Sequence, residues 1–261
     1  MKHRGPLIPA RFIARDNRLL ARVMLDAAKE SEENPGSIDT QRPYPSDDPI
    51  VSVHVPNSGR LTEILTSGRR VYLRGEADPK RKTAYTLVLA RMETTLVSIE
   101  STAANGMARE CFTAGRFDPF RGYNVIEAER RFGKSRFDFF LSKSGHGTGG
   151  HPEVSFGLFV EVKGVTLVTG GQAMFPDAPT IRGTKHLLEL IEAVREGHRA
   201  AVLFVAQRGD VEQFTPNDRM DPAFGEALRT AGERGVEIYA VSSNVTIEGM
   251  EITGMVPVLL D

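Results

Sequence analysis

The feature that most constrains the fold is a charged pair inside an apolar run. Residues 157–168 are nearly all apolar, yet Glu161 and Lys163 stand in the middle of them. Such a run is typical of a central strand, because a central strand is covered on both faces of its sheet. Side chains alternate along a strand, so these two would point to the same face. Charges are seldom buried unless they are paired or bind a metal ion, so the run predicts one of those two arrangements.

A second carboxylate precedes this run. Asp138 lies in a strand-like segment, residues 136–141, and a glycine-rich segment, residues 142–155, follows it. Antiparallel pairing of the two strands would bring Asp138 beside Glu161. A divalent cation, Mg²⁺ or Mn²⁺, would relieve the repulsion of two carboxylates, and Lys163 would then orient a water molecule and offset the charge of a phosphate. From these residues alone, a nuclease site and a structural buried ion pair both remain open.

The rest of the C-terminal half alternates helices and strands. Residues 187–194 carry apolar side chains at helical spacing, with Thr180 or Thr184 as the candidate N-cap. A further helix is predicted to start at Asp221-Pro222. We also expect short helices over residues 102–112 and 122–132, and strands over residues 200–206 and 236–241. The pattern predicts a mixed sheet flanked by helices.

The first third of the chain predicts a small β-barrel. Short strand-like segments, separated by turn sequences, lie at residues 12–25, 50–55, 71–73 and 85–90. Such a series is typical of an OB-fold. Residues 29–49 are rich in Pro, Asp, Glu and Ser and predict a mobile acidic loop. The predicted domains are residues 1–83 and 84–261.

A local excess of positive charge marks the end of this first domain. The formal net charge of the chain is only −1, but residues 60–82 hold seven Arg and Lys residues against three acidic ones. This stretch is either a nucleic-acid-binding surface or a solvated basic face. His186 on the predicted helix faces either a phosphate or solvent. The candidate nucleic-acid contacts are Asn57, Arg69, Arg70, Arg81, Lys82 and Lys185.

The cysteine content and the hydropathy of the chain indicate in which cellular compartment the protein resides. The single cysteine, Cys111, allows no internal disulfide and fits a reducing environment. No apolar run approaches the length of a membrane span, and charged residues and prolines interrupt the N-terminus where a signal peptide would need an apolar core. We therefore expect a cytoplasmic protein that does not enter a membrane.

Six short blocks, spread over nearly the whole chain, carry a family resemblance. They lie at residues 56–59, 80–82, 130–139, 161–167, 175–180 and 183–187. Together they resemble the sugar fermentation stimulation protein A family. The resemblance implies an α+β protein, with an N-terminal OB-like β-barrel followed by an α/β restriction-endonuclease-like domain of the PD-(D/E)xK type.

The resemblance also implies site residues. Asp138, Glu161 and Lys163 would take the catalytic positions, the first two as ligands of Mg²⁺ or Mn²⁺. Glu129 would be an acidic residue on the preceding helix. Phe137 stands where the superfamily motif has proline.

Non-specific DNA binding and a link to sugar metabolism are implied as well. The predicted function is that of a metal-dependent endonuclease that hydrolyses phosphodiester bonds in DNA. One alternative is a non-catalytic DNA-binding regulator of sugar (maltose) metabolism. Another is a nuclease directed at RNA.

Overall fold

The chain folds into two compact units. The computed structural model describes residues 1–26, 49–143 and 157–261. One unit comprises residues 2–101 and 245–250, and the other comprises residue 1 with residues 102–244 and 251–261. The predicted acidic loop, residues 29–49, lies outside the described residues except for Pro49, and so does most of the glycine-rich segment. No helix in the described ranges is long and apolar enough to span a membrane.

Among the described residues, the first unit is a barrel of five strands with a sixth strand beside it. The strands are β1 (Leu7–Asn17), β2 (Leu20–Leu25), β3 (Ile50–His54), β4 (Arg70–Gly75), β5 (Tyr85–Arg91) and β6 (Leu96–Ser98). Their order in the sheet is β3-β2-β1-β4-β5-β6, and a bridge between His54 and Thr86 joins β3 to β5. This additional pairing closes β1 to β5 into a barrel, as the sequence predicted.

Side chains at every second position of the strands fill the interior of the barrel. Along β4, Val71 and Leu73 are buried, whereas their neighbours are partly exposed. Because β5 and β6 belong to this sheet, the predicted boundary after residue 83 comes too early, and the first unit continues to Ser101. The sequence placed the boundary wrongly because an apolar strand does not reveal which sheet it joins.

In the part of it that the structure describes, the second unit contains a larger and a smaller sheet with three α-helices. The helices are α1 (Ala103–Thr113), α2 (Ile181–Arg195) and α3 (Pro222–Glu233). The strands are β7 (Val125–Phe132), β8 (Ser135–Ser142), β9 (Leu158–Val165), β10 (Val168–Thr169), β11 (Gln172–Phe175), β12 (Arg199–Ala206), β13 (Gln213–Pro216), β14 (Glu237–Val245) and β15 (Met250–Val256). The larger sheet has the order β15-β14-β12-β9-β8-β7, and the smaller has the order β10-β11-β13.

Strand β9 lies inside the larger sheet, antiparallel to β8 and parallel to β12. Its first five residues are buried, as the apolar run predicted. The buried faces of α2 and α3 join one hydrophobic cluster with the sheet, through side chains such as Leu190, Phe224 and Phe204. Helix α2 begins after Thr180, whose side chain accepts a hydrogen bond from the Gly183 N–H. A mixed sheet with packed helices is therefore confirmed.

Residues 125–132 form strand β7, so the helix predicted over residues 122–132 is wrong. The strand pairs with β8 through a tight turn in which Gly133 has a φ of 54°. Residues such as Ala, Glu and Arg favour helices in isolation, but tertiary pairing overrides that weak preference. Glu129 lies between the paired positions Ala128 and Arg130 and has a φ of 57°. The register is the same on both sides of it, so no residue is inserted in the strand and Glu129 stands opposite Asp138.

One carboxylate ties together the starts of helices α2 and α3. Asp221 is the N-cap of α3, and its Oδ1 accepts a hydrogen bond from the Phe224 N–H at 3.0 Å. Its Oδ2 accepts from the N–H of Thr180, the N-cap of α2, at 2.7 Å. The side chain is buried, so removing it would leave two backbone donors without an acceptor.

We predict that Asp221→Ala lowers the free energy of unfolding by about 2–4 kcal/mol, from a lost cap and an unsatisfied buried N–H. Asp221→Ser can still cap Phe224 but cannot reach Thr180, so its loss should be intermediate. Urea denaturation followed by circular dichroism measures both. Equal losses for the two variants would show that the cap on Phe224 contributes nothing, and a Ser variant as stable as the wild type would show the same for the bond to Thr180.

Candidate metal centre

Two carboxylates meet where the pairing of β8 and β9 ends. Phe139 lies opposite Val160, and one further step along this register places Asp138 opposite Glu161. Asp138 Oδ2 accepts a hydrogen bond from the N–H of Val162 at 2.8 Å. The predicted antiparallel meeting of the two acids is confirmed, and the Asp138 side chain takes a backbone donor on β9.

The two oxygens of Glu161 have different surroundings. Oε1 accepts a hydrogen bond from Lys163 Nζ at 2.6 Å and is also hydrogen-bonded to His186 Nδ1. Oε2 is buried and has no hydrogen-bond partner among the residues that the structure describes. The Glu161 side chain is only 5% exposed. One oxygen is thus held by two donors, while the other keeps its full capacity to bind a cation.

Helix α1 supplies a further contact to Asp138. Asn105, in the first turn of α1, donates from Nδ2 to Asp138 Oδ1 at 2.8 Å. Asn105 could not be identified from the sequence, because no local pattern links a polar residue on a short helix to a strand more than thirty residues later. For His186 the sequence indicates only a contact with phosphate or solvent. Its position on the buried stripe of α2, between Gly183 and Leu190, was the available signal.

Burial and charge act differently on the two carboxyl groups. Burial, and then the charge of Glu161, raise the pKa of Asp138, against the opposing effect of its hydrogen bonds from Val162 and Asn105. Burial alone would also raise the pKa of Glu161. The hydrogen bond from His186, with the charge and hydrogen bond of Lys163, outweighs it and lowers that pKa. Glu161 is therefore the firmly ionised member of the pair, and Asp138 is the one whose charge is costly.

The residues present fit a hard divalent cation. Carboxylate oxygens are the side-chain ligands that Mg²⁺ and Ca²⁺ prefer. Glu63 Oε1 and Glu189 Oε2 are also buried without a donor, but only at Glu161 does a second carboxylate, that of Asp138, lie opposite among the paired strands that the structure describes. In residues 1–26, 49–143 and 157–261, no group of three or more His, Cys, Asp or Glu side chains is placed to hold a metal. The described chain thus offers two acidic ligands, Asp138 and Glu161. Mg²⁺ sites with one or two carboxylates are completed by water and substrate phosphates.

Glu129 does not lie where the family resemblance placed it. It stands on strand β7 rather than on a helix, it is exposed, and it pairs with Arg136 at 2.6 Å. No ion pair or hydrogen bond among the described residues joins it to Asp138 or Glu161. Lys185, the predicted nucleic-acid contact on α2, is exposed and lies 3.8 Å from Glu189.

Most of the cations predicted to bind nucleic acid have partners within the barrel. Arg70 contacts the buried Asp26 at 3.1 Å. Arg81 donates to Thr86 and lies 3.7 Å from Glu76. The local excess of positive charge in residues 60–82 is therefore partly balanced by Asp26, an acid outside this stretch.

Two further predicted contacts also have partners in the first unit. Arg69 donates weakly to the carbonyl of Arg91, at 3.4 Å. Asn57 closes its own turn: Oδ1 accepts from the Gly59 N–H, and Nδ2 donates to the carbonyl of Ile99. Lys82 differs, since it is exposed and has no ion pair with a described residue.

We predict that Asp138→Asn stabilises the metal-free protein at neutral pH. A carboxyl group whose pKa is raised by folding stabilises the fold below its unfolded pKa, and that contribution is lost as pH rises through the folded pKa. The amide oxygen of the variant can accept from the Val162 N–H, and its NH2 can donate to Asn105 once the Asn105 amide turns over. The variant should therefore exceed the wild type in melting temperature at pH 7 with chelator, and the difference should shrink as pH falls.

Asp210→Asn is the matched control of opposite sign. Burial would raise the pKa of Asp210, but the hydrogen bonds and charge of Arg208 outweigh it and lower that pKa. This variant should be less stable than the wild type at pH 7, and the gap should close at low pH. A loss of stability at pH 7 for Asp138→Asn would contradict the assignment of a costly charge.

Comparison with known proteins agrees with this architecture. Residues 13–99 match the family model described as the SfsA N-terminal OB domain, and residues 102–249 match the model described as the sugar fermentation stimulation protein RE domain. The predicted order, an OB-like barrel followed by a restriction-endonuclease-like α/β domain, is confirmed.

Relatives match over nearly the full chain. A sugar fermentation stimulation protein homolog of Caldanaerobacter subterraneus subsp. tengcongensis is 40% identical over 257 residues, 98% of this chain and 99% of the relative. A homolog of Clostridium perfringens is 39% identical over 260 residues, 100% of both chains. The solved structure of Pyrococcus furiosus SfsA in complex with Ca²⁺ is similar with a TM-score of 0.78 and 30% identity, covering 99% of this chain and 98% of that one. The chain therefore belongs to the sugar fermentation stimulation protein family.

Proposed function

We propose that the chain binds DNA without sequence specificity and hydrolyses its phosphodiester bonds at a divalent-metal site formed by Asp138 and Glu161. The observation that carries this proposal is Glu161 Oε2, a buried oxygen without a hydrogen-bond donor in a carboxylate that its surroundings keep ionised. A buried structural ion pair would leave no reason for a second, half-buried carboxylate, Asp138, at the same point.

The solved relative supports a metal at this kind of fold. The Pyrococcus furiosus protein is in complex with Ca²⁺, a hard cation that takes oxygen ligands as Mg²⁺ does. In this chain, Asp138 and Glu161 would hold Mg²⁺ or Mn²⁺. When bound, such an ion polarises a phosphoryl oxygen and lowers the pKa of a water molecule.

The chain's own residues would perform the remaining work of hydrolysis. The Lys163 ammonium lies beside Glu161 and has N–H donors beyond the one it gives to Oε1, so it can offset charge on the phosphate oxygens. Asn105 holds Asp138 in place. In the reaction, the oxygen of water bonds to phosphorus and one bridging P–O bond breaks. The water loses a proton, and the leaving alkoxide gains one.

The barrel would hold the DNA backbone. In OB-folds, oligonucleotides bind along strands 2 and 3 and at the loops that join strands 1 to 2 and 4 to 5. The exposed Arg18 stands in the first of these loops, and the exposed Lys80 and Lys82 stand in the second. Neither lysine has an ion pair with a described residue, so both are available to phosphates.

We predict that Glu161→Gln abolishes both cleavage and the rise in melting temperature that Mg²⁺ or Mn²⁺ produces. The amide oxygen can still accept from Lys163 and His186, so the variant should fold and should bind DNA without metal as the wild type does. Metal at 100 times its Kd should stabilise the wild type by about 2.7 kcal/mol. Supercoiled and single-stranded DNA, incubated with metal and then with chelator, report cleavage.

Two further variants accompany Glu161→Gln: Lys163→Met as a second test and Glu192→Gln as a control. Lys163→Met keeps the aliphatic stem, so metal-induced stabilisation should survive while cleavage falls by about 100- to 1,000-fold. Glu192 is exposed on α2 and pairs only with Arg195, so its variant should match the wild type. Wild-type DNA binding without cleavage in any metal would favour the non-catalytic regulator, and cleavage of RNA alone would change the substrate.

We predict that DNA binding weakens steeply with salt and that Lys80→Ala with Lys82→Ala flattens this dependence. Each phosphate contact contributes about 0.9 to the slope of log K against log salt, so the double variant should lose about 1.8. Arg70→Ala is the control, because it also removes a cation but one that Asp26 neutralises. It should lower barrel stability and keep the slope. An unchanged slope in the lysine variant would place the binding surface elsewhere.

A further inference from the structure

Glu161 Oε1 is held from two directions. Lys163 donates to it from the same strand, and His186 Nδ1 is hydrogen-bonded to it from helix α2. The two contacts are not equivalent. Lys163 sits on a long flexible stem, whereas the imidazole of His186 is 7% exposed and fixed on a packed helix.

Arg182 contacts the other ring nitrogen of His186. Its Nε–H donates to His186 Nε2 at 3.3 Å, one helical turn earlier on α2. A ring nitrogen that accepts a hydrogen bond carries no proton, so the proton lies on Nδ1 and is donated to Glu161. The two hydrogen bonds therefore run in one direction: Arg182 donates to His186, and His186 donates to Glu161.

The imidazole is also fixed by its packing. The ring of Phe137, the residue before Asp138, meets it edge-on with 6.3 Å between ring centres. The start of α2 is tied down by the bond from Thr180 to Asp221. Strand β8 and helix α2 thus both limit the movement of the side chain that orients Glu161.

We propose that His186 is a positioning residue that locks Glu161 with Oε2 available to a divalent cation, and that Arg182 selects the tautomer that does so. The inference rests on the proposed metal site. It also explains why Oε1 has two donors: Lys163 can turn toward a phosphate while His186 keeps the carboxylate in place. Ligating carboxylates in metal sites are themselves held by hydrogen bonds of this kind.

Two amide variants of His186 test the geometry. Asn carries an N–H donor close to the position of Nδ1, whereas Gln carries it close to that of Nε2. Calorimetric titration of the full-length protein with Mn²⁺, in the absence of DNA, should give His186→Asn an affinity near that of the wild type. His186→Gln should bind Mn²⁺ about 10- to 100-fold more weakly. Circular dichroism melting establishes that both variants are folded at the titration temperature.

The outcomes separate this inference from the proposed function. No Mn²⁺ binding by the wild type would sink the metal site itself. Wild-type binding with equal affinity in the Asn and Gln variants would leave the metal site standing and overturn the role of His186.

The tautomer has its own spectroscopic readout. A two-bond ¹H–¹⁵N correlation spectrum should show the His186 proton on Nδ1 in the wild type, and Arg182→Ala should allow the Nε2–H form to appear. A wild-type spectrum with the proton on Nε2 would contradict the assigned direction of the hydrogen bonds from Arg182 to His186 and from His186 to Glu161.

Discussion

The repulsion between the buried carboxylate of Glu161 and the half-buried carboxylate of Asp138 is the interaction on which the second unit's site depends. In a low-dielectric setting, two like charges at one point cost free energy unless nearby groups compensate. The compensating groups come from three different elements and are the Val162 N–H, the Asn105 amide, the Lys163 ammonium and the His186 imidazole. Strand pairing, helix α1 and helix α2 thus have to be in place together before the site exists.

The charges of the two carboxylates are not compensated equally. The donors around Glu161 keep it ionised, whereas burial and the neighbouring charge raise the pKa of Asp138. A pair in which one charge is costly is destabilising in the free protein and becomes favourable when a cation joins it. Such local conflicts are expected at functional sites, where a protein gives up stability for pre-organisation.

The sequence predicted those parts of the structure that local patterns determine. The apolar run of β9 with Glu161 and Lys163, the N-cap of α2 and the barrel strands all follow from alternation, capping and turn chemistry. The errors share another cause. Residues 125–132 contain helix-favouring side chains but pair with β8, and β6 joins the sheet of the first unit beyond the predicted domain boundary, because strand partners are set by tertiary contacts that no local pattern encodes.

The same limit applies to the side-chain contacts. The basic stretch of residues 60–82 is visible in the sequence, but the pairing of Arg70 with Asp26 and of Arg81 with Glu76 is not. Nor does the sequence show that His186 and Asn105 reach the two acids. Charge counts therefore indicated a candidate nucleic-acid-binding surface. Only the fold distinguished the cations that pair with acids from those that can contact phosphates.

The most direct test of the metal site is crystallography with Mn²⁺ and its anomalous signal. The account predicts one peak about 2.1 Å from Asp138 and from Glu161 Oε2, with Oε1 still bonded to His186. A protein that shows no peak there at saturating Mn²⁺, or one in which the ion displaces His186 from Oε1, would contradict it.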